Sequence, residues 1–247
     1  MKTLQVVKIG SSSIIKDNKV DYKTVKTLAY ELNQLKEEDN INSILVVSGA
    51  IPLGMKTLGY DKKPKDKLTL QRCACIGQKE LMAIYDAGFK GYAITSQLLL
   101  TYDNFKDYEE EKNIEQRLKD DVKHNIVPLI NYNDGINKTE LNLDNDKLAS
   151  LIAKYSGANR LLILSNVDGL EDKDKKLIKE VNKITPELKQ LCRGADNLGT
   201  GGMTTKFEAA EIAINHHIEM ILGNIKYKIK DLVYDKCPRT VFITNSS

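Results

Sequence analysis

The chain has few of the residues that usually build metal and redox centres. Its 247 residues include four cysteines and three histidines. Only Cys73 and Cys75 lie close together, and a C-x-C pair alone is typical neither of a redox centre nor of a zinc site. The histidines at positions 124, 216 and 217 do not join them at the spacing of metal ligands. We therefore expect no metal site built by the protein alone, and reduced cysteines in or near the core.

Long apolar runs and basic tracts are also missing. The net charge is +3, and Lys is interspersed with Asp and Glu, which argues against a nucleic-acid partner. The amino-terminal segment MKTLQVVKIGSSSII is interrupted by Lys8 and then by small polar residues, unlike a signal peptide. No window approaches the length of a membrane-spanning helix. The sequence therefore predicts a cytoplasmic protein with no nucleic-acid and no membrane partner.

Two common nucleotide-binding motifs are absent. No G-x-x-x-x-G-K-[ST] occurs anywhere in the chain, which excludes a P-loop. No G-x-G-x-x-G follows the first predicted strand, which counts against a dinucleotide-dependent oxidoreductase.

The chain instead alternates short apolar segments with amphipathic ones. Strands are predicted at Leu4–Ile9, Asn42–Val47, Ala93–Leu100, Ile126–Ile130, 161–164, Glu219–Leu222 and Thr240–Thr244. Helices are predicted at 22–38, 68–86, 112–124, 145–155 and 203–216, with a further helix-like stretch after Ser48. This alternation is typical of an α/β fold, an αβα sandwich with a central, mostly parallel sheet. Without a long linker or repeat, we expect one domain over residues 1–247.

Ligands of such folds bind beyond the carboxyl ends of the strands. Two candidate segments lie there early in the chain. In KIGSSS, Lys8 ends a buried strand and Gly10 opens a turn whose N–H groups can bind an anion, although a solvent-facing Lys before an ordinary turn fits as well. In VVSGAI, Ser48 and Gly49 begin a helix, which suits a carboxylate or phosphate or is a plain Ser N-cap.

Two further segments carry polar groups. INYND and LDND place Asn131, Asp134, Asn145 and their neighbours where they could hold an ammonium group, orient lysines or bind Mg²⁺. The same residues could equally form turns and cap the next helix. In LGTGGMTTK, a glycine run precedes a helix that carries Lys206, an arrangement that exposes N–H groups to phosphate oxygens or only caps the helix.

Together these segments resemble the amino acid kinase family, and within it the glutamate 5-kinase branch. The family's K-x-G-[ST]-S is similar to KIGSS, its S-G-A-I to Ser48–Ile51, and its N-x-N-D to Asn131–Asp134. Its D-N-D is similar to Asp144–Asp146 and its G-T-G-G-M-x-T-K to Gly199–Lys206. The resemblance extends from Lys8 to about Thr244.

The resemblance implies three sets of site residues. Two lysines would stabilise charge on the transferring phosphoryl group and an aspartate would orient them: Lys8, Lys206 and Asp146. Glutamate, with Asp134 on its ammonium group, would contact Ser48, Gly49, Asn131, Asp134 and Asn145. ATP would contact Lys8, Gly10, Ser165, Asn166, Thr200, Gly201, Gly202, Met203, Thr204, Thr205 and Lys206. Glutamate would thus bind the amino-terminal part of the domain and ATP the carboxyl-terminal part.

The implied reaction is ATP-dependent phosphorylation of the γ-carboxylate of L-glutamate, the first step of proline biosynthesis. A carboxylate is already ionised at pH 7, so no general base is needed, and the sequence offers no compelling histidine for one. Mg²⁺ would bridge the β- and γ-phosphates. The resemblance further implies a homo-oligomer, dimer or tetramer, and feedback inhibition by L-proline. The carboxyl-terminal PUA domain of many bacterial relatives is expected to be absent.

Three positions depart from the family pattern, and two other functions compete. Tyr132 stands where the family usually has Glu, and Ser165-Asn166 replaces Thr-Asp. A kinase of acetylglutamate or aspartate would share the lysines, but Asp134 favours a substrate with a free amine. A non-catalytic ligand sensor on the same fold is disfavoured because Lys8 and Lys206 are both present.

Overall fold

The computed structural model describes residues 3–16, 19–136, 144–192 and 202–243. Its strands are β1 (Thr3–Ile9), β2 (Ile15–Lys16), β3 (Lys19–Val20), β4 (Ile41–Val47), β5 (Ile94–Leu100), β6 (Ile126–Tyr132), β7 (Arg160–Ser165), β8 (Leu170–Glu171), β9 (Leu177–Ile178), β10 (Glu180–Val181), β11 (Glu219–Asn224) and β12 (Arg239–Phe242). Its α-helices are α1 (Ser11–Ile14), α2 (Tyr22–Asp39), α3 (Ala50–Thr57), α4 (Lys67–Phe89), α5 (Tyr108–Lys123), α6 (Asn145–Ser156), α7 (Pro186–Cys192), α8 (Met203–Asn215) and α9 (Ile229–Val233). A 3₁₀-helix covers Tyr102–Phe105.

The central sheet contains eight of the described strands in the order β10-β12-β11-β7-β1-β4-β6-β5. Neighbouring strands are parallel except for the antiparallel pair β11 and β12. Because β1 lies between β4 and β7, its carboxyl end reaches the middle of the sheet edge. Lys8 and Ile9 there pair with Val46 and Val47 of β4.

Helices cover both faces of this sheet, each over its own apolar core. Val6 and Ile44 point into one core, which also contains side chains from α5, α6 and α8. Val7 and Leu45, their neighbours along the strands, point into the other core with side chains from α2, α3, α4 and α9. This alternation follows from the two-residue period of a strand. The predicted αβα sandwich with a mostly parallel sheet is confirmed.

The predicted strands and helices are present with shifted ends, except that Thr244 lies outside the described residues. The largest shift is in α5, predicted from 112 and observed from Tyr108. Asp107 caps this helix by accepting a hydrogen bond from the backbone N–H of Glu110 at 3.0 Å. The first turn is acidic rather than apolar, so the hydrophobic period did not reveal it. The short elements β2, β3, β8–β10, α7 and α9 were not predicted.

Helices α3 and α4 pack with their backbones in contact, and two glycines make this possible. A Cβ atom on Gly54 of α3 would lie 1.8 Å from the backbone oxygen of Cys73. A Cβ atom on Gly77 of α4 would lie 1.8 Å from the backbone oxygen of Ala50. The first turn of α3 is therefore held directly against the middle of α4, where Gln78 follows Gly77.

Candidate active site

The segments singled out in the sequence meet at one edge of the sheet. Lys8 lies near the end of β1, Ser48 follows β4, Asn131 lies near the end of β6 and Ser165 ends β7. These four strands are parallel, so their carboxyl ends share an edge, as the fold class requires.

The centre of the site is Asp146, which joins two lysines from opposite ends of the chain. Its side chain is fully buried in the first turn of α6. Lys8 Nζ lies 2.5 Å from Oδ1, and Lys206 Nζ lies 3.1 Å from Oδ2. Both lysines are themselves buried, with 8% and 7% of their surfaces exposed. The alternative of a solvent-facing Lys8 is therefore wrong.

Burial and charge act in opposite directions on these groups. Burial alone would lower the pKa of Lys8, but the carboxylates of Asp146 and Asp144 outweigh it and raise that pKa above its usual value. Burial alone would raise the pKa of Asp146, but Lys8 and Lys206 hold it below its usual value. Burial and the neighbouring Asp146 raise the pKa of Asp144. The centre therefore keeps the Lys8 ammonium group and the Asp146 carboxylate ionised at neutral pH.

Amide and hydroxyl groups form a second layer beside this centre. Asn145 Nδ2 donates to Ser48 Oγ at 2.6 Å, to the backbone oxygen of Val47 at 3.1 Å and to Asn131 Oδ1 at 3.0 Å. Asn131 Nδ2 in turn donates to Gln78 Oε1 at 2.8 Å. The network thus brings Ser48, Asn131 and Asn145 together, as the sequence predicted.

The helix caps at this edge differ from the simplest expectation. Gly49, with φ of 125°, is the N-cap of α3 and makes no side-chain cap bond. The alternative of a plain Ser48 N-cap is therefore wrong, because Ser48 Oγ accepts from Asn145 instead. Asp144 does cap α6, through Oδ1 and the backbone N–H of Asp146 at 2.8 Å. This leaves Asn145 free to reach across the site.

Asp134 lies in the turn after β6. Burial raises the pKa of its carboxyl to about 6, against the opposing effect of nearby Lys63. A half-buried carboxylate of this kind gains from a cation that binds next to it. Asp134 is therefore suited to receive an ammonium group.

The other predicted contacts lie on the far side of Lys8. Gly10 is the N-cap of α1, and a Cβ atom there would lie 4.0 Å from Lys8 Nζ, so the backbone of Gly10 lies beside the ammonium group. Asn166, after Ser165, donates to Ser12 Oγ at 3.2 Å. This side chain therefore bridges the end of β7 to α1.

Helix α8 supplies the last group of predicted residues. Gly202 is its N-cap and Met203 and Thr204 begin its first turn. Thr205 Oγ1 donates to the backbone oxygen of Gly202 at 2.8 Å and lies 3.3 Å from Asp146 Oδ2. The predicted contacts Thr200 and Gly201 lie outside the described residues.

Residues 3–224 match the sequence profile of the amino acid kinase family. The chain belongs to this family. It is 41% identical over 233 residues to the glutamate 5-kinase of Lactococcus lactis subsp. lactis strain IL1403, covering 89% of this chain and 86% of the relative. It is 37% identical over 231 residues to the glutamate 5-kinase of Caldanaerobacter subterraneus subsp. tengcongensis, covering 90% and 62%.

The fold of this amino acid kinase is also that of a solved relative. The carbamate kinase from Giardia lamblia bound to AMP-PNP superposes with a TM-score of 0.65 over 99% of both chains, at 18% identity. At that identity the likeness concerns the fold alone.

Sequence reasoning missed two residues of this kinase that contact the site. Gln78 lies on the buried face of α4, and a polar residue among buried apolar ones was the available signal. Tyr102 OH donates to the backbone oxygen of Asp144 at 2.9 Å, and its ring lies 5.4 Å from that of Tyr132. No sequence signal linked Tyr102 to α6, because the contact spans 42 residues.

Two observations bear on membranes and metals. Within the described residues, no helix is long and apolar enough to cross a membrane. Over the same part of the chain, no three His, Cys, Asp or Glu side chains gather as a metal site.

Proposed function

We propose that this amino acid kinase transfers the γ-phosphoryl group of ATP to the γ-carboxylate of L-glutamate, giving L-glutamyl 5-phosphate and starting proline biosynthesis. The observation that carries the proposal is the pair of lysines on Asp146, directly beside the Asn145–Ser48 network. The names and identities of the glutamate 5-kinases from L. lactis and Caldanaerobacter support the substrate. The relative bound to AMP-PNP supports an adenine nucleotide as donor.

Lys8 and Lys206 act on the transferring group. In the reaction a glutamate carboxylate oxygen bonds to the γ-phosphorus while the bond from that phosphorus to the β,γ-bridging oxygen breaks, so ADP leaves. No proton moves, because the attacking carboxylate is already ionised. Two ammonium groups at a buried site stabilise the charge on the moving group far better than they would in water. Asp146 holds both lysines in place and so fixes β1, which carries Lys8, relative to α8, which carries Lys206.

The amide network and Asp134 act on glutamate. Ser48 Oγ accepts from Asn145, so its own hydroxyl hydrogen remains to donate to a carboxylate of the substrate. Asp134, half-buried and with a raised pKa, pairs with the α-ammonium group. An acetylated amine would bring no charge to Asp134, so the site favours free glutamate over acetylglutamate. These contacts, with Asn131 and Gly49 beside them, support a binding site for the acceptor in the amino-terminal part of the domain.

ATP is assigned to the carboxyl-terminal part, with Lys8 and Gly10 on its phosphates. Ser165, Asn166 and the segment from Thr200 to Lys206 complete that assignment. Bound Mg²⁺ would supply further positive charge to the phosphates of ATP, which would hold it more than protein groups do. We also propose that the enzyme works in the cytoplasm as a dimer or tetramer and is inhibited by L-proline.

The test is a hydroxamate assay with ATP and Mg²⁺. Hydroxylamine traps an acyl phosphate as a coloured hydroxamate, and the acceptors compared are L-glutamate, N-acetyl-L-glutamate, L-aspartate and none. Colour with L-glutamate alone is the expected result. Colour with a different acceptor only would show that L-glutamate is not the substrate, but would not affect the role proposed for the two lysines. No turnover with any acceptor, in protein that binds ATP, would favour a ligand sensor.

A further inference from the structure

Gln78 is a buried polar residue at the end of the amide network. It lies in the middle of α4 between Gly77 and Leu81, with 9% of its surface exposed. The contact of Gly77 with Ala50 holds this part of α4 against the first turn of α3. The position of Gln78 relative to Ser48 is therefore set by backbone packing rather than by a flexible side chain.

The Gln78 oxygen determines where the Asn131 amide can sit. Asn131 Nδ2 donates to Gln78 Oε1 at 2.8 Å. Asn131 Oδ1 accepts from the backbone N–H of Tyr132 at 2.8 Å and from Asn145 Nδ2 at 3.0 Å. Asn131 is 2% exposed, so losing the Gln78 oxygen would leave its Nδ2 buried without that acceptor. Such a group is costly, and the side chain would rotate to relieve it.

Rotation of Asn131 would loosen the next residue in the chain of hydrogen bonds. Asn145 Nδ2 shares its two hydrogens among three acceptors. Without the Asn131 oxygen the Asn145 amide would no longer be fixed on that side, so the position at which it holds Ser48 Oγ would shift. While Ser48 Oγ accepts from Asn145, its own hydrogen is left to donate to the substrate. A relay of three amides therefore runs from α4 to the hydroxyl that faces the acceptor.

We propose that Gln78 is a positioning residue for the carboxylate acceptor, acting through Asn131 and Asn145 on Ser48. This inference rests on the proposed function for the identity of the acceptor. Lys8, Lys206 and Asp146 make none of the relay's hydrogen bonds, so loss of the Gln78 oxygen removes none of their contacts with one another. Loss of the Gln78 oxygen therefore weakens acceptor binding and leaves ATP binding and turnover at saturation close to normal.

The test is Gln78→Met, which keeps the size of the side chain and removes both polar atoms. The expected result is a KM for L-glutamate raised about tenfold, with kcat and the KM for ATP within about twofold of wild type. The matched control is Gln5→Met. Gln5 is a fully buried glutamine in β1 whose Nε2 donates to Ser43 Oγ at 3.1 Å, at the opposite end of the strands. Gln5→Met should lower the melting temperature about as much as Gln78→Met does, without changing the KM for glutamate or the KM for ATP.

A double-mutant cycle with Asn131→Ala tests whether the effect of Gln78 passes through Asn131. Because Gln78 acts through Asn131, the double variant should have the same KM for glutamate as Asn131→Ala alone. Additive effects, or an unchanged KM for glutamate in Gln78→Met, would overturn the inference. Wild-type turnover with a different carboxylate would instead sink the proposed substrate, and the same KM comparison would then be made with that acceptor.

Discussion

Replacing Asp146 by Asn tests whether one buried carboxylate holds the two lysines together. The substitution keeps the shape of the side chain and removes its charge. In the wild type, Asp146 is fully buried and lies within 3.1 Å of both Lys8 Nζ and Lys206 Nζ. In the variant, two buried ammonium groups would face each other across a neutral amide.

The magnitude follows from that burial. Removing one partner of a buried ion pair costs about 3–5 kcal/mol of unfolding free energy, because the remaining charge is desolvated and uncompensated. The exposed pair of Asp103 with Lys106, at 2.8 Å and with both side chains more than half exposed, supplies the matched control. The same substitution there, Asp103→Asn, should change the unfolding free energy by less than about 1 kcal/mol.

The assay is urea unfolding of the three proteins, repeated across pH. The pKa of Asp146 lies below its ordinary value of 3.8, so its contribution to stability is present above that pH and is lost as pH falls through the lower folded value. The gap between wild type and Asp146→Asn should therefore be constant near neutral pH and narrow below about pH 4. Sulfate should stabilise the variant more than the wild type, because its lysines lack their carboxylate.

Two results would refute this reasoning. A variant as stable as wild type would mean that Asp146 does not compensate the lysines in solution. Near-normal turnover of Asp146→Asn would mean that the spacing of Lys8 and Lys206 does not depend on Asp146. The role proposed for Asp146 in catalysis would then be wrong.

Three further changes separate the roles of the site residues. Lys206→Ala should lower kcat at least about a hundredfold while the protein stays folded by circular dichroism; near-normal turnover would remove its proposed role. Asp134→Asn should raise the KM for glutamate about tenfold. The KM of the wild type should rise as pH falls through about 6, because Asp134 becomes protonated there, while the KM of the variant stays constant. Parallel pH profiles of the two proteins would contradict the ammonium pairing. Tyr102→Phe should lower the free energy of unfolding in urea by about 1 kcal/mol, because its hydrogen bond to Asp144 is lost. Tyr85→Phe should not lower it, because the buried hydroxyl of Tyr85 has no partner among the described residues. Equal losses in the two variants would contradict this account.

The layers of the fold were predictable because they depend on local patterns. A parallel strand that is buried on both faces is mostly apolar, and β1 and β4 are buried over nearly all their residues. A helix that covers a sheet must repeat apolar residues every three or four positions, as α2 does with Val25, Leu28 and Leu32. The short elements were missed because two to seven residues carry no measurable period. Their positions depend on contacts with the sheet, such as the pairing of β10 with β12.

The site was predictable at its strand ends and not between them. Lys8 and Asn131 stand where the sheet rule places ligand-binding groups, and the structure brings them to one edge. The convergence of Lys8 and Lys206 on Asp146 could be stated only through the family resemblance, since the three residues lie far apart in the sequence. Gln78 was missed because an amide in the middle of an apolar helix has no motif, and its meaning comes from the fold.

The close packing of α3 and α4 explains why that amide can act at a distance from the substrate. Gly54 and Gly77 let the two helix backbones touch, so α4 cannot shift without moving the first turn of α3. That turn follows Ser48 and Gly49, while the next residue of α4 after Gly77 holds Asn131. The proposed acceptor side of the site is thus held by one closely packed helix pair, whereas the proposed phosphate-binding lysines are held by Asp146. Substitutions in α4 should therefore affect glutamate affinity selectively, and substitutions around Asp146 should affect phosphoryl transfer.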